Sequence, residues 1–313
     1  MAAAIGQGPS LALRQRAGGA VFRFAGTLPP GATLARAGPA TRHDAAGLLV
    51  TEAANVARWD HFPATGAPRG LLIEDARTNA LSRSSEFAVA PWTAGGATVT
   101  AGLTGPDGAA SAATLSDATG SWASLAQSFA ATSGAVCLSL FVRKDAVGKA
   151  VRFAVVRLGG GDLCVDTATG EVAVAGSGAS AGCADHGGWW RIWMATSAGA
   201  ASVTLFPACG AGATLGSAAY SGAAQGAIGV FGAQLEAGGM PSSWIATAAG
   251  AVTRAADVLT LAWGSLGVPD GAATIRYGFD DGSGQDVTSV VSGGVATVPT
   301  DLNRRHLLSA RAL

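Results

Sequence analysis

Eight tryptophans stand in this chain of 313 residues: Trp59, Trp92, Trp122, Trp189, Trp190, Trp193, Trp244 and Trp263. A flat indole joins apolar area to one N–H donor, which suits stacking on the C–H face of a sugar ring. In the run Trp189-Trp190-Arg191-Ile192-Trp193-Met194 the period of a β-strand sends Trp189, Arg191 and Trp193 to one face, and Trp190, Ile192 and Met194 to the other. Both faces can be core only if something covers the sheet. The Trp189 face therefore stays open to three readings: sugar platform, subunit interface, or sheet-on-sheet core. Trp122, Trp189, Arg191 and Trp193 form the candidate carbohydrate-binding set.

Material for catalysis is thin. The histidines His43, His61, His186 and His306 are isolated in sequence and read as loop or surface residues, leaving little for a Ser-His-Asp or Cys-His arrangement. Glu86, Asp162, Asp166, Asp185 and Glu236 could in principle supply a glycosidase pair, but nothing in their spacing marks two of them out. Gly159-Gly160-Gly161-Asp162 lacks the helix and the Lys-Ser/Thr of a phosphate-binding loop and reads as a hairpin turn. Cys137, Cys164, Cys183 and Cys209 are too widely spaced for a paired zinc site, and read as buried reduced thiols. The expectation is a protein that is not an enzyme.

What positions these residues is β-structure. Glycine is heavily used (46 residues) and charged residues make up 13%, with no long Leu/Lys/Glu-rich run to build helices. Formal net charge is zero with signs mixed, so no footprint for nucleic acid appears. Residues 1–14 carry Gly6, Gly8 and Pro9 where a secretory signal needs an unbroken apolar core, so cytoplasmic synthesis without an export signal, and no membrane insertion, are expected.

Four parts are expected: an extended arm at 1–20, a short-strand segment at 21–75, a β-sandwich at 76–250 and a small β-domain at 251–313. Strand-like segments recur at 97–101, 121–129, 136–143, 151–158, 163–166, 189–196, 201–207 and 227–235; eight such segments suit a jelly roll. Alternation is clearest in Cys137-Leu138-Ser139-Leu140-Phe141-Val142-Arg143 and Ser202-Val203-Thr204-Leu205-Phe206. In the tail, strands are read at 273–279, 286–291, 294–298 and 306–312, with a turn at Asp280-Asp281-Gly282-Ser283-Gly284. A unit of about sixty residues is marginal alone, so docking within the chain or between subunits is expected.

Several motifs in register carry a resemblance. They are Arg69-Gly70-Leu71-Leu72-Ile73-Glu74-Asp75-Ala76-Arg77-Thr78-Asn79, Ser85-Glu86-Phe87 and Pro91-Trp92, then Gly188-Trp189-Trp190-Arg191, Val230-Phe231-Gly232-Ala233-Gln234-Leu235-Glu236-Ala237-Gly238, Ser243-Trp244-Ile245-Ala246-Thr247 and Val252-Thr253-Arg254-Ala255-Ala256-Asp257. Over residues 20 to 260 the chain resembles a module of phage head-spike and tail-fibre proteins. In length and tail it is similar to the head-spike proteins of gene transfer agent particles.

The resemblance implies an all-β, jelly-roll sandwich like carbohydrate-binding modules, displayed on a virion or particle surface as a homo-oligomer, pentameric at a capsid vertex or trimeric as in fibres. It implies that cell-surface or capsular polysaccharide is the partner, and that residues 1–20, with Arg14 and Arg16, anchor the chain on the capsid vertex or on another spike protein. No cofactor is implied beyond a structural calcium which, by position near the first and last strands of such jelly rolls, points to Glu86 and Glu236. Two rivals stand beside the adhesin reading: a connector that docks on the capsid and presents another adhesin, and a polysaccharide depolymerase.

Overall fold

The computed structural model describes residues 19–120, 122–144, 153–175, 179–208 and 225–313. Arg14 and Arg16 of the expected arm, and Cys209, lie outside the described residues. The described chain is all-β, with one short 3-10 turn at Trp263–Leu266.

Two six-stranded antiparallel sheets form the larger unit. The first runs in the order Ala179–His186, Trp189–Thr196, Val136–Arg143, Gly226–Ala237, Ala112–Asp117 and Thr98–Leu103. The second runs Val172–Ala175, Gly161–Asp166, Phe153–Leu158, Ser202–Phe206, Ser124–Ser128 and Thr93–Gly95. Their facing sides share one core, with Leu138, Leu140, Ile192, Met194, Val230 and Leu235 from the first sheet against Leu125, Val156, Leu158, Leu163, Val203 and Leu205 from the second. Each such side chain contributes about 1.5–3 kcal/mol when fully buried, so this interface dominates the unit's stability.

The period-two pattern explains the split. Val136, Leu138, Leu140 and Val142 enter the shared core, while Cys137 and Phe141 point to the opposite face. That opposite face is buried as well, because a layer lies over it. The hairpin of Ala40–His43 and Leu49–Glu52 supplies part of the layer, and the segment reaching Trp244 supplies the rest. Leu49, Phe141, Trp189, Phe231 and Trp244 form a second apolar cluster between them.

The two ends of the chain build one unit. Gly284–Val291, Gly271–Phe279, His306–Ala312, Pro68–Leu72 and Trp59–His61 stand side by side in one sheet, and Val21–Arg23 also pairs with His306–Ala312. Ala32–Ala35 pairs with Val258–Leu261, and Arg77–Asn79 with Val252–Arg254. One core holds Phe22, Phe24, Leu71 and Ile73 from the front of the chain with Leu259, Trp263, Ile275, Tyr277, Phe279 and Leu307 from the back. The segments that the sequence separates as 21–75 and 251–313 are thus interleaved. A tail of that size gains its apolar burial by taking strands from the front of the chain. Its hairpin turns at Gly282, whose φ of 79° suits glycine.

A buried ionic network joins the parts. Arg58, fully buried, donates to Glu74 at 2.8 Å and to Asp257 at 2.5 Å. Asp257 also accepts from Arg36 at 2.9 Å and from the Glu74 amide at 3.0 Å. Glu74 takes the Ser243 amide and hydroxyl at 2.8 and 2.6 Å, and Arg305 at 3.1 Å. Burial would raise the Glu74 pKa, but Arg58, Arg254 and Arg305 around it hold the carboxyl well below its usual range.

Candidate functional site

Where the end-built unit meets the outer face of the first sheet there is a cleft of about 380 Å³. That lies within the roughly 300–1,000 Å³ of small-ligand sites. One wall is strand Trp189–Thr196 and its edge neighbour Ala179–His186, contributing Arg191, Trp193 and His186. The other is the stretch Asn303–His306 with Arg69, and the floor is the loop Pro241–Trp244.

The floor is fastened by residues of the Phe231–Glu236 motif. Gly232, at φ 64°, sits where the register between Val136–Arg143 and Gly226–Ala237 slips by one residue, and a Cβ there would meet the Trp244 ring at 2.9 Å. The amide and carbonyl of Ala233 beside this bulge are taken up by the Ser84 carbonyl and the Asn79 amide group. Gln234 accepts from the Ile245 amide at 2.5 Å and donates to Glu236 at 2.6 Å. Glu236 accepts from both the amide and the hydroxyl of Ser242. Asn79 uses both ends of its side chain, donating to the carbonyls of Ala233 and Ile245 and accepting from the amides of Leu81 and Leu235.

Of the four candidate carbohydrate residues, the structure brings two together at the cleft. Arg191 Cζ lies over the Phe141 ring, 5.3 Å from its centre, and its Nη2 donates to the Ser242 carbonyl at 2.7 Å and to Ser139 Oγ at 3.2 Å. Its Nε is enclosed without a protein partner. Trp193 lies half-buried over Gly182, where a Cβ would meet its indole nitrogen at 2.5 Å. Trp189 lies in the apolar cluster beneath the hairpin, so of the readings open for that face it takes the buried one. Trp122, at φ 60°, packs edge-on against Phe206 of the second sheet, at a ring distance of 5.5 Å, and does not line the cleft.

The two carboxylates offered for calcium have other partners. Glu86 is exposed and pairs with Arg83 at 2.6 Å, whereas Glu236 is buried on Ser242 and Gln234. No group of three or more His, Cys, Asp or Glu suited to a metal occurs among the described residues.

The histidines, read in the sequence as isolated surface or loop residues, converge instead. His186 Nδ1 stands 3.1 Å from His43 Nε2, and His43 accepts His61 at its backbone carbonyl, Nδ1 to oxygen 3.2 Å. Asp60 accepts from the His43 amide at 2.6 Å and from His306 Nε2 at 2.7 Å. Burial alone would raise the Asp60 pKa; hydrogen bonds from His306 and His43 pull it far below the ordinary carboxylate range. Burial lowers His186 strongly and lowers His306.

Sequence reasoning missed Arg305, Arg304 and His186 as cleft residues. The polar run Asn303-Arg304-Arg305-His306 was the available signal, and it carries no sign of the strand it would face. The other scattered acids have local work: Asp162 forks onto Arg157 at 2.6 and 2.8 Å, and Asp185 pairs with Lys144 at 2.6 Å.

No family model matches this chain, and no curated protein matches it. No helix among the described residues is long and apolar enough to cross a membrane.

Proposed function

We propose that this protein is a non-catalytic adhesin of a virion or gene-transfer-agent-like particle, a homo-oligomeric head-spike subunit that grips cell-surface polysaccharide through the junction cleft. In this reading the two facing sheets are a jelly roll of the carbohydrate-binding-module type. The observation that carries the glycan assignment is the pairing of Trp193 with Arg191 on one strand face, opening into the cleft. An indole held flat by Gly182 offers the stacking plane, and Arg191 with the Pro241–Trp244 loop offers directional polar groups. Weak single sites become useful when many copies are displayed on one particle. The particle setting rests on the motif resemblance.

A second reading, a connector that presents another adhesin, is favoured by the place of the motif residues themselves. Glu74, Asn79 and Asp257 spend their polar groups inside the junction, and Arg254 is buried there 3.5 Å from Glu74, as scaffold residues would be.

One experiment separates the two. Assembled protein should bind encapsulated cells and not isogenic acapsular cells; Trp193→Ala should weaken that binding by about tenfold or more, as loss of a stacking aromatic does, while Trp122→Ala should leave it unchanged. Equal failure on both cell types sinks the adhesin reading and leaves the connector.

A further inference from the structure

We propose that the cleft takes an acidic saccharide, with a sugar carboxylate seated between Arg191 and Arg305 and the ring against Trp193. This rests on the glycan-binding reading above and names its ligand class.

The argument begins with where the two guanidinium groups are held. Arg305 Nη1 donates to the Pro241 carbonyl at 2.7 Å, and Arg191 Nη2 donates to the next carbonyl, Ser242, at 2.7 Å. One strand and one loop of distant sequence thus bring two like charges onto consecutive peptide units. Arg305 has Glu74 at 3.1 Å to offset its charge. Among the described residues no carboxylate lies within ion-pair distance of Arg191, Glu236 and Glu74 acting on it only from further away, and neither Nε nor Nη1 donates to any described protein group. The nearby carboxylate, Glu236, spends its oxygens on Ser242 and Gln234.

An enclosed guanidinium with no carboxylate in direct contact is costly, and a planar fork with unused N–H groups matches a planar carboxylate. The cleft's own acids cannot fill that role. Glu74 already takes Arg58, Arg305 and Ser243, and Asp60 takes His43 and His306. The other arginines on the cleft lining already have carboxylate partners, Arg42 on Glu52, Arg69 on Asp280 and Arg304 on Asp280 and Asp281, which leaves the Arg191 fork as the group open to an incoming anion. Trp193 supplies the apolar face, so the ligand that satisfies both features carries a C–H ring face and a carboxylate together. A uronic-acid residue of a polysaccharide has both.

The test is calorimetric titration of the assembled, full-length protein at physiological ionic strength. The probes are tetragalacturonate, tetramannuronate and a hyaluronan tetrasaccharide, each beside its carboxyl-reduced counterpart. At least one uronate should bind about tenfold or more tighter than its reduced form, as expected for a charge-assisted bidentate contact. Arg191→Lys, which keeps the charge and loses the fork, should remove most of that discrimination, bringing the acid and reduced forms to within a few-fold of each other. The comparison of native with reduced ligand needs no variant, so a folding defect in Arg191→Lys leaves the inference open to refutation. Equal binding of acid and reduced forms, or binding of neutral glycans alone, overturns the acidic seat and leaves the glycan reading intact. No binding to any probe, together with no capsule-dependent cell binding, removes both.

Discussion

At the scale of single residues, two glycines show why side-chain geometry at the cleft is not free to vary. Gly232 is required by its backbone, since its positive φ and the bulge it closes disfavour any residue with a Cβ. Gly182 has no such backbone demand; its lack of a side chain makes room for the Trp193 indole, three atoms of which would stand 2.5 to 2.7 Å from an added Cβ. In Gly182→Ala the ring must turn away, because the alternative is overpacking strain of about 1–3 kcal/mol. The expected outcome is loss of polysaccharide affinity comparable to Trp193→Ala, with the unfolding midpoint in urea little changed. Binding assays on the folded variant check it; unchanged affinity would show that the indole plane is not the sugar contact. Trp190 meets a similar arrangement at Gly170, where a Cβ would fall 2.8 Å from the ring, but its indole nitrogen donates to the Thr167 carbonyl, so that ring is fastened inward.

At the scale of elements, the resemblance motifs act as fasteners: the Leu71–Asn79 stretch, the Phe231–Glu236 bulge and the Arg254–Asp257 segment meet in one buried ionic and amide network. Removing one member leaves charges buried without partners, which costs about 3–5 kcal/mol. Glu74→Gln should therefore lower the urea unfolding free energy by that order, because Arg58, Arg254 and Arg305 lose their shared carboxylate. A loss under about 1 kcal/mol would mean that water reaches the site and replaces the carboxylate. The strands that the sequence reveals are those with branched or aromatic alternation, such as Val136–Arg143 and Ser202–Phe206. Ala179–His186 is hidden because Ala, Ser and Gly have little strand preference; it is an edge strand that presents small residues to the tryptophans of its neighbour. The division of Trp189, Arg191 and Trp193 from Ile192 and Met194 follows directly from the strand period. What covers the first of those faces depends on a hairpin some 140 residues away, which no local pattern announces.

At the scale of the whole molecule, the histidine cluster couples its two units to pH. His186 belongs to the sandwich edge, whereas His43, Asp60 and His306 belong to the hairpin and the end-built sheet, so the 3.1 Å contact between His186 and His43 spans the junction. The groups facing His186 are His43, Arg191, Asp60 and Arg69; those facing His306 are Asp60, Asp280 and Arg69. Burial is the main cause that lowers both imidazoles, strongly for His186, so in the folded chain they refuse protons that the unfolded chain accepts near the ordinary histidine value of about 6.5. Below that value the unfolded state binds more protons, so stability falls as pH drops, until the folded pKa values are reached. Asp60 and Glu74 act in the same direction only further down, since their lowered carboxyls contribute stability that is lost below the ordinary carboxylate range of about 4. The expected result is a urea midpoint clearly lower at pH 5.5 than at pH 7.5, a window that isolates the histidines from the carboxylates. Replacing both with glutamine, His186→Gln with His306→Gln, should flatten that dependence, because neither side chain then titrates. If the wild-type midpoint is the same at both pH values, the two imidazoles are exchanging protons with solvent in the folded state and the junction is more open than the packing of Phe141 against His186 implies.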